Sequence, residues 1–396
     1  MMENVKDERM ADWANLPKDL IESISKRLKT SIDRQRFRSV CTSWRYATTS
    51  EPDFLSGSSR IVSNSGIFSS SLGFRLSKRT IFLILPPEPA SSAWLVKIDE
   101  RDSKKKRFLN PLCSHRSNLV SGKCLNLLNL LELRVFELGQ EYTLHHVNYR
   151  PNLHNHVEDL YMEKVVTIWL ESDGIFYLLT IHLSGKLAIF NGRDMTWTII
   201  QDMPSPYDDV IAYKGRFFAV DNTGRTVAVE LNSDLGLVAN PVFGGDKKYL
   251  VESNGELLLV DMYLSVETEE ENLNFGEELL DHRIHYMNER TVKFKVFKLE
   301  ENSQSWIEVK SLGDQILFLG DNSTFSALAS DLPGCKGNCI LFVNNIFYGE
   351  GGDFEEDLVS PDIGLFELDT GEIGPLTCYP NFSKLFWPIS NWLTSR

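Results

Sequence analysis

VIAYKGRFFAVDNTGRTVAVEL, residues 210–231, reads as strand, turn and strand: short apolar runs separated by glycine-containing turns. Gly215-Arg216 and Gly224-Arg225 place glycine where a tight hairpin needs a positive φ. The same pattern extends outward in both directions. IFYLLTIHLSGKLAIFN (175–191), YLVESNGELLLVDMYL (249–264) and VKFKVFKLE (292–300) repeat it, with further glycine turns at Gly185-Lys186, Gly255-Glu256 and Gly371-Glu372. RTIFLILPP (79–87) and AWLVKID (93–99) stand ahead of them, and the basic cluster Lys104 to Arg107 falls in a turn.

The glycines before KLAIF, RFFAV and ELLLV are at 185, 215 and 255, and QILFLGD follows Gly313 after an acidic insertion at residues 267–278. Hairpin units of about 40–50 residues predict propeller blades, six or seven of them over the available chain. A pair of β-sandwiches is the alternative if the uneven spacing is not a true repeat.

Composition sets the outer limits. The chain has 396 residues, 42% hydrophobic and 24% charged, which suits a globular protein with a sizeable core and two or three domains. MMENVKDERMADW has no apolar secretory segment, and no run reaches the roughly 18 apolar residues of a membrane helix. Six scattered cysteines make no disulfide framework, so the expectation is a reduced intracellular chain in cytoplasm and/or nucleus, with no membrane partner. The formal charge is −14, yet residues 1–50 carry ten Lys or Arg against seven Asp or Glu. A basic head on an acidic body predicts an acidic protein partner for the head and argues against nucleic acid as partner of the body.

That head reads as three helices. Leu16, Leu20, Ile21, Ile24 and Leu28 form one apolar stripe, with Pro17 where a first helical turn tolerates it. Thr30 or Ser31 can cap a second helix, with Asp33 in its first turn. RFRSVCTSWR (36–45) puts Phe37, Val40, Cys41 and Trp44 at i, i+3, i+4 and i+7, which predicts a third helix ending near residues 48–51. Three helices in so short a stretch make a marginal core that gains stability from a partner or a neighbouring domain.

LPKDLIESISKRL followed by RFRSVCTSWR resembles the F-box, the helical module by which substrate receptors dock on a Skp1-type adaptor of cullin ubiquitin ligases. The matching positions are Leu16, Pro17, Asp19, Leu20, Ile21, Ile24, Leu28, Phe37, Arg38, Val40, Cys41, Trp44 and Arg45, with Trp13 just ahead. Lys29-Thr30 stands where many members have a proline, and Arg34-Gln35 replaces a commonly apolar pair. Further on, SQSWIEVKSLGDQILFLGDNSTFSALASDLPGCKGNCILFVNN (303–345), GLFELDTGEIGPL and WPISNW resemble a plant F-box group whose carboxy-terminal region is a KIB-type β-propeller.

The resemblance implies a three-helix F-box at 1–55, a linker at 56–78 and an all-β propeller at 79–396. It also implies adaptor contacts through Trp13, Leu16, Pro17, Leu20, Ile21, Ile24, Leu28, Ile32, Phe37, Val40, Cys41 and Trp44. The implied function is substrate recognition within an SCF-type (Skp1–cullin–F-box) ligase, with a cullin and RING subunit reached through the adaptor and a client protein held by the propeller. A binding propeller with a degenerate F-box is the alternative. A propeller hydrolase would need carboxylates converging at the channel.

No G-x-G-x-x-G, P-loop or G-x-S-x-G occurs, so no catalytic residue, cofactor or nucleotide site is expected. Cys335 and Cys339 lack a second ligand pair at zinc spacing, and His145-His146 and His154/His156 lack a carboxylate frame beyond Glu158 and Asp159. These residues read as packed or solvated rather than as a metal site. The acidic stretches 267–278 and 349–362 read as solvated loops, one of them a candidate rim for a basic client segment.

Overall fold

The computed structural model describes residues 13–25, 27–28, 31–47, 60–62, 74–85, 93–99, 107–113, 134–146, 164–170, 174–182, 184–267, 288–343 and 363–386. His154, His156, Lys104 to Lys106, the stretch 349–362 and nearly all of the acidic insertion lie outside them, as do the side chains of His145, His146 and Ile32.

A 3-10 turn at Trp13–Asn15 leads into α1 (Lys18–Ser25), α2 (Ser31–Ser39) and α3 (Thr42–Ala47). RFRSVCTSWR is not one helix. Its first residues end α2, and α3 starts afresh at Thr42. The cause is local chemistry: Ser39, Val40, Cys41, Thr42 and Ser43 are all weak helix formers, and hydroxyls compete for backbone partners. Val40 N donates to Phe37 O at 3.2 Å, a tight i→i−3 closure that ends α2. Arg38 Nη1 donates to Arg45 O at 3.4 Å and Arg45 Nε to Arg38 O at 3.3 Å, so two arginines lace the corner.

After these helices, the strand pairings among the described residues are antiparallel, with one parallel exception. β1 (Arg60–Val62) pairs with β2 (Phe74–Leu85), so sheet begins inside the stretch read as a linker at 56–78. The first blade adds β3 (Trp94–Asp99), β4 (Arg107–Leu109) and β5 (Arg134–His146) in the order β4-β3-β2-β5. β6 (Val165–Leu170), β7 (Ile175–Ile181), β8 (Leu187–Asn191) and β9 (Thr196–Ile199) make the second, whose strand pairing to the first among the described residues is the single pair Tyr142 with Val165. β10 (Tyr207–Tyr213), β11 (Arg216–Asp221), β12 (Thr226–Val229) and β13 (Leu235–Ala239) make the third. β14 (Lys247–Ser253), β15 (Glu256–Glu267), β16 (Asn288–Glu300) and β17 (Ser305–Val309) make the fourth.

β18 (Gln315–Leu319), β19 (Thr324–Leu328), β20 (Cys339–Val343), β21 (Ile363–Glu367) and β22 (Ile373–Pro375) form the fifth, in the order β19-β18-β20-β21-β22 with β18 parallel to β20. A short α4 (Pro380–Phe386) follows.

The blades close into a ring. β5 contacts β6, β6 contacts β10, β10 contacts β14, β14 contacts β19, and β19 returns to β5. An apolar layer fills each gap. Leu76 and Phe74 meet Leu178 and Phe190; Leu179 and Ile189 meet Val210 and Phe217; Phe218 and Val220 meet Leu250 and Leu259. Val251 and Val260 meet Leu317 and Ile340, while Ile81 and Leu83 meet Phe318 and Leu365 under Phe382 and Leu385 of α4. Strands buried on both faces explain why runs such as RFFAV are continuously apolar.

Among the described residues the ring has five blades, where the sequence spacing predicted six or seven. Strands of 12 and 13 residues in the first and fourth blades use more chain per blade than the spacing assumed. The glycine repeat also mixed unlike turns. Gly215 and Gly255 join first and second strands, Gly185 joins a second to a third, and Gly313 precedes a blade. At Lys214-Gly215 and Asn254-Gly255 both residues have positive φ (48° and 74°, 51° and 75°), the turn that matches strand twist.

Candidate functional site

The helical module has an inside and an outside. Ile21, Phe37, Trp44 and Ala47 form its buried core, with Leu16, Leu28 and Cys41 packed against them. The Phe37 and Trp44 rings lie 4.3 Å apart, and Trp44 Nε1 donates to Trp13 O at 2.9 Å, tying the 3-10 turn to α3. Side chains expected to meet an adaptor therefore divide into two groups. Ile21, Phe37 and Trp44 are buried and hold the helices together. Trp13 (62% exposed), Leu20 (48%), Ile24 (37%) and Val40 (58%) point to solvent, and Pro17 is exposed beside them.

The α2–α3 break turns Val40 outward, whereas an unbroken helix would have placed it on the stripe with Phe37 and Trp44. Tyr46, 85% exposed, joins the outward group although the sequence reading passed over it. It lies two residues past Trp44, off the stripe, so only its aromaticity in a basic, polar surrounding could have marked it. Arg34, the first of the pair that departs from the apolar pattern, is half-buried.

The propeller axis carries a second cluster. Lys164 Nζ reaches Asp209 Oδ1 at 3.0 Å and Thr324 Oγ1 at 3.1 Å, linking the second, third and fifth blades. Asp209 Oδ2 accepts from Leu250 N at 2.8 Å, and Leu250 O accepts from Thr324 Oγ1 at 2.5 Å, which brings in the fourth blade. Nearby, burial pushes the Asp208 carboxyl up to about 6, against the Lys248 N–H that it accepts at 2.9 Å.

Between the first and fifth blades, Glu141 accepts from Lys97 Nζ at 2.5 Å and Arg79 Nη1 at 2.6 Å, and Ser323 Oγ donates to it at 3.4 Å. Burial works against ionisation of Glu141, but the two cations hold its pKa below the usual range. Each of these carboxylates is engaged by a cation or a backbone N–H, a pattern that joins blades. Buried ion pairs of this kind fix geometry more than they add stability.

Burial pushes the Cys335 and Cys339 thiols up to about 11, and Cys339 Sγ donates to Gly337 O at 3.2 Å. Both are therefore neutral, and among the described residues no group of three or more His, Cys, Asp or Glu is placed to hold a metal. No helix among the described residues is long and apolar enough to cross a membrane.

Comparison with known proteins matches both halves of the molecule. Residues 13–55 match the F-box domain and residues 73–367 the KIB1-4 beta-propeller. F-box protein SKIP23 of Arabidopsis thaliana is 49% identical, the alignment covering 98% of this chain and 97% of that protein. F-box protein At2g17036 of the same plant is 41% identical over 98% of this chain and 96% of its own length. A putative F-box/kelch-repeat protein, At5g24040, is 24% identical over 96% of this chain and all of its own. The helical module and the ring of blades thus fall where these matches run from end to end, and the chain belongs to the F-box proteins whose body is a KIB1-4 β-propeller.

Proposed function

We propose that the chain is the substrate-recognition subunit of an SCF-type ubiquitin ligase, docking on a Skp1-like adaptor through its helical module and presenting a client on its propeller. The observation that carries this reading is the set of outward apolar side chains Trp13, Leu20, Ile24, Val40 and Tyr46 on a module of fewer than 50 residues. A surface that apolar on so small a unit marks a partner site. Burying a Leu, Ile or Trp side chain fully contributes about 1.5–3 kcal/mol, so five partly exposed anchors match the roughly 4–15 kcal/mol that association costs. Ile21, Phe37 and Trp44 support that surface from beneath, and Arg36, Arg38 and Arg45 set approach rate and register.

In this role the chain does no chemistry. It raises the local concentration of a client near a charged conjugating enzyme held by the cullin and RING subunits. An intracellular location in cytoplasm or nucleus follows from the role.

The test is co-expression of the full chain with a Skp1-like adaptor, beside a Leu20→Asp/Val40→Asp double variant. Co-purification of the wild type and its loss in a variant that elutes and melts as the wild type does is the expected result. Equal recovery of both would overturn the reading.

A further inference from the structure

RQRFRSV, residues 34–40, opens on the Arg34-Gln35 pair that departs from the apolar pattern, and the stretch carries a second chemistry. Arginine stands five and three residues ahead of Ser39, at Arg34 and Arg36, with Arg38 directly before it and the apolar Val40 directly after. No other serine or threonine of the chain has arginine at both of those spacings. Arginine-directed protein kinases select substrates by such charge patterns, pairing each guanidinium with a carboxylate beside the catalytic cleft.

The fold puts this serine where a phosphate has consequences. Ser39 is exposed and is the last residue of α2, at the α2–α3 corner. Val40 beside it is 58% exposed and belongs to the outward apolar group. Arg45 Nε donates at 3.3 Å to the carbonyl of the peptide that joins Arg38 to Ser39, and Arg38 Nη1 donates to Arg45 O at 3.4 Å. Two arginines therefore hold the corner that aims Val40 outward, one next to Ser39 in the chain and the other on its peptide bond.

α2 is also able to open. A helix of nine residues is marginal on its own, and this one depends on Phe37 packing with Ile21 and Trp44. Kinases bind substrates extended, so the state that accepts phosphate is the locally opened module of the free chain. An adaptor seated on Val40 keeps the corner closed. Docking and opening oppose each other.

We propose that Ser39 is a phosphorylation site for an arginine-directed protein kinase and that the modification releases the chain from its adaptor. In the transfer, Ser39 Oγ bonds to the γ-phosphorus of ATP and the bond from that phosphorus to the β,γ-bridging oxygen breaks. ADP leaves, and the hydroxyl proton passes to the kinase's catalytic aspartate. The phosphate brings about −1.5 to −2 charge at pH 7. Set against ten basic and seven acidic residues in the first 50, it removes at least half of the module's positive excess. It falls at the C-terminal end of α2, where the helix dipole disfavours an anion, and it competes for the guanidiniums that lace the corner. An acidic adaptor face is then repelled, and Val40 loses its fixed aim. The release rests on the receptor role proposed above; the phosphoacceptor assignment does not.

The experiment treats the full purified chain with protein kinase B and ATP and maps phosphate by tandem mass spectrometry. The expected result is phosphate at Ser39, lost in Ser39→Ala, slowed about tenfold or more in Arg36→Gln and suppressed by saturating adaptor. Phosphoserine is then installed at position 39 during translation, and adaptor affinity is measured beside the wild type and Ser39→Gln, which adds bulk without charge. The phosphorylated chain should bind about tenfold more weakly or worse, and Ser39→Gln as the wild type does. Absence of phosphate at Ser39, or an affinity that phosphoserine leaves unchanged, overturns the proposal. Equal weakening in Ser39→Gln also overturns it, because bulk rather than charge would be the cause. Failure of the unmodified chain to bind the adaptor would remove the receptor reading and the release with it, while the phosphate map alone would still decide the phosphoacceptor.

Discussion

Leu20 and Ile21 are adjacent and chemically alike, yet one is 48% exposed and the other 1%. Periodicity placed both on one stripe, because a stripe read from spacing is wide and does not say which edge meets the module's own core. Their substitution should separate the two roles. Ile21→Ala is expected to cost about 2–5 kcal/mol of stability by chemical denaturation, whereas Leu20→Ala should stay within about 0.5 kcal/mol and act on adaptor recovery instead. Asp208 offers a titration at the same scale. Its carboxyl, raised from 3.8 to about 6 by burial, takes up a proton in the folded state before the unfolded one does. The stability it contributes is thus greatest near pH 4 and declines as pH rises through about 6. Asp208→Asn keeps an acceptor for Lys248 N and removes the charge. It should therefore stabilise the protein by about 1 kcal/mol at pH 7.5 and hardly at all at pH 4.5, as read from paired thermal melts.

Among the elements, what sequence could and could not convey divides cleanly. Strands were legible wherever an apolar run ended at a glycine turn, and α1 was legible from its stripe and Pro17. The α2–α3 break was not, since Phe37, Val40, Cys41 and Trp44 satisfy helical spacing perfectly and spacing is blind to hydroxyl competition at Ser39, Thr42 and Ser43. The parallel pairing of β18 and β20 was likewise out of reach, because it needs a hairpin to step inward before the chain returns. The turns permit a direct check. Lys214 holds φ at 48° without being glycine or asparagine, at some steric cost. Lys214→Asn should raise stability by about 0.5 kcal/mol, partly offset by loss of the ammonium 4.8 Å from the Tyr213 ring, and Asn254→Ala should lower it by about 1 kcal/mol.

For the molecule as a whole, ring closure governs. Blade type was legible from the hairpins, but blade number was not, because uneven strand lengths hide the period. Closure joins groups far apart in the chain: Glu141 and Ser323 are 182 residues apart, and Phe318 stacks on Phe325 at 4.6 Å inside the layer shared by the first and last blades. Phe318→Ala should cost about 3–5 kcal/mol and lower the single unfolding transition of the propeller as a unit rather than one blade. α4 belongs to that layer through Phe382 and Leu385, although it lies almost at the end of the chain. The genetic corollary is sharp. A stop codon or frameshift anywhere upstream of Phe382 strips the lid from the first blade as well as the last, so late truncating alleles should behave as nulls, their products cleared rather than partly active.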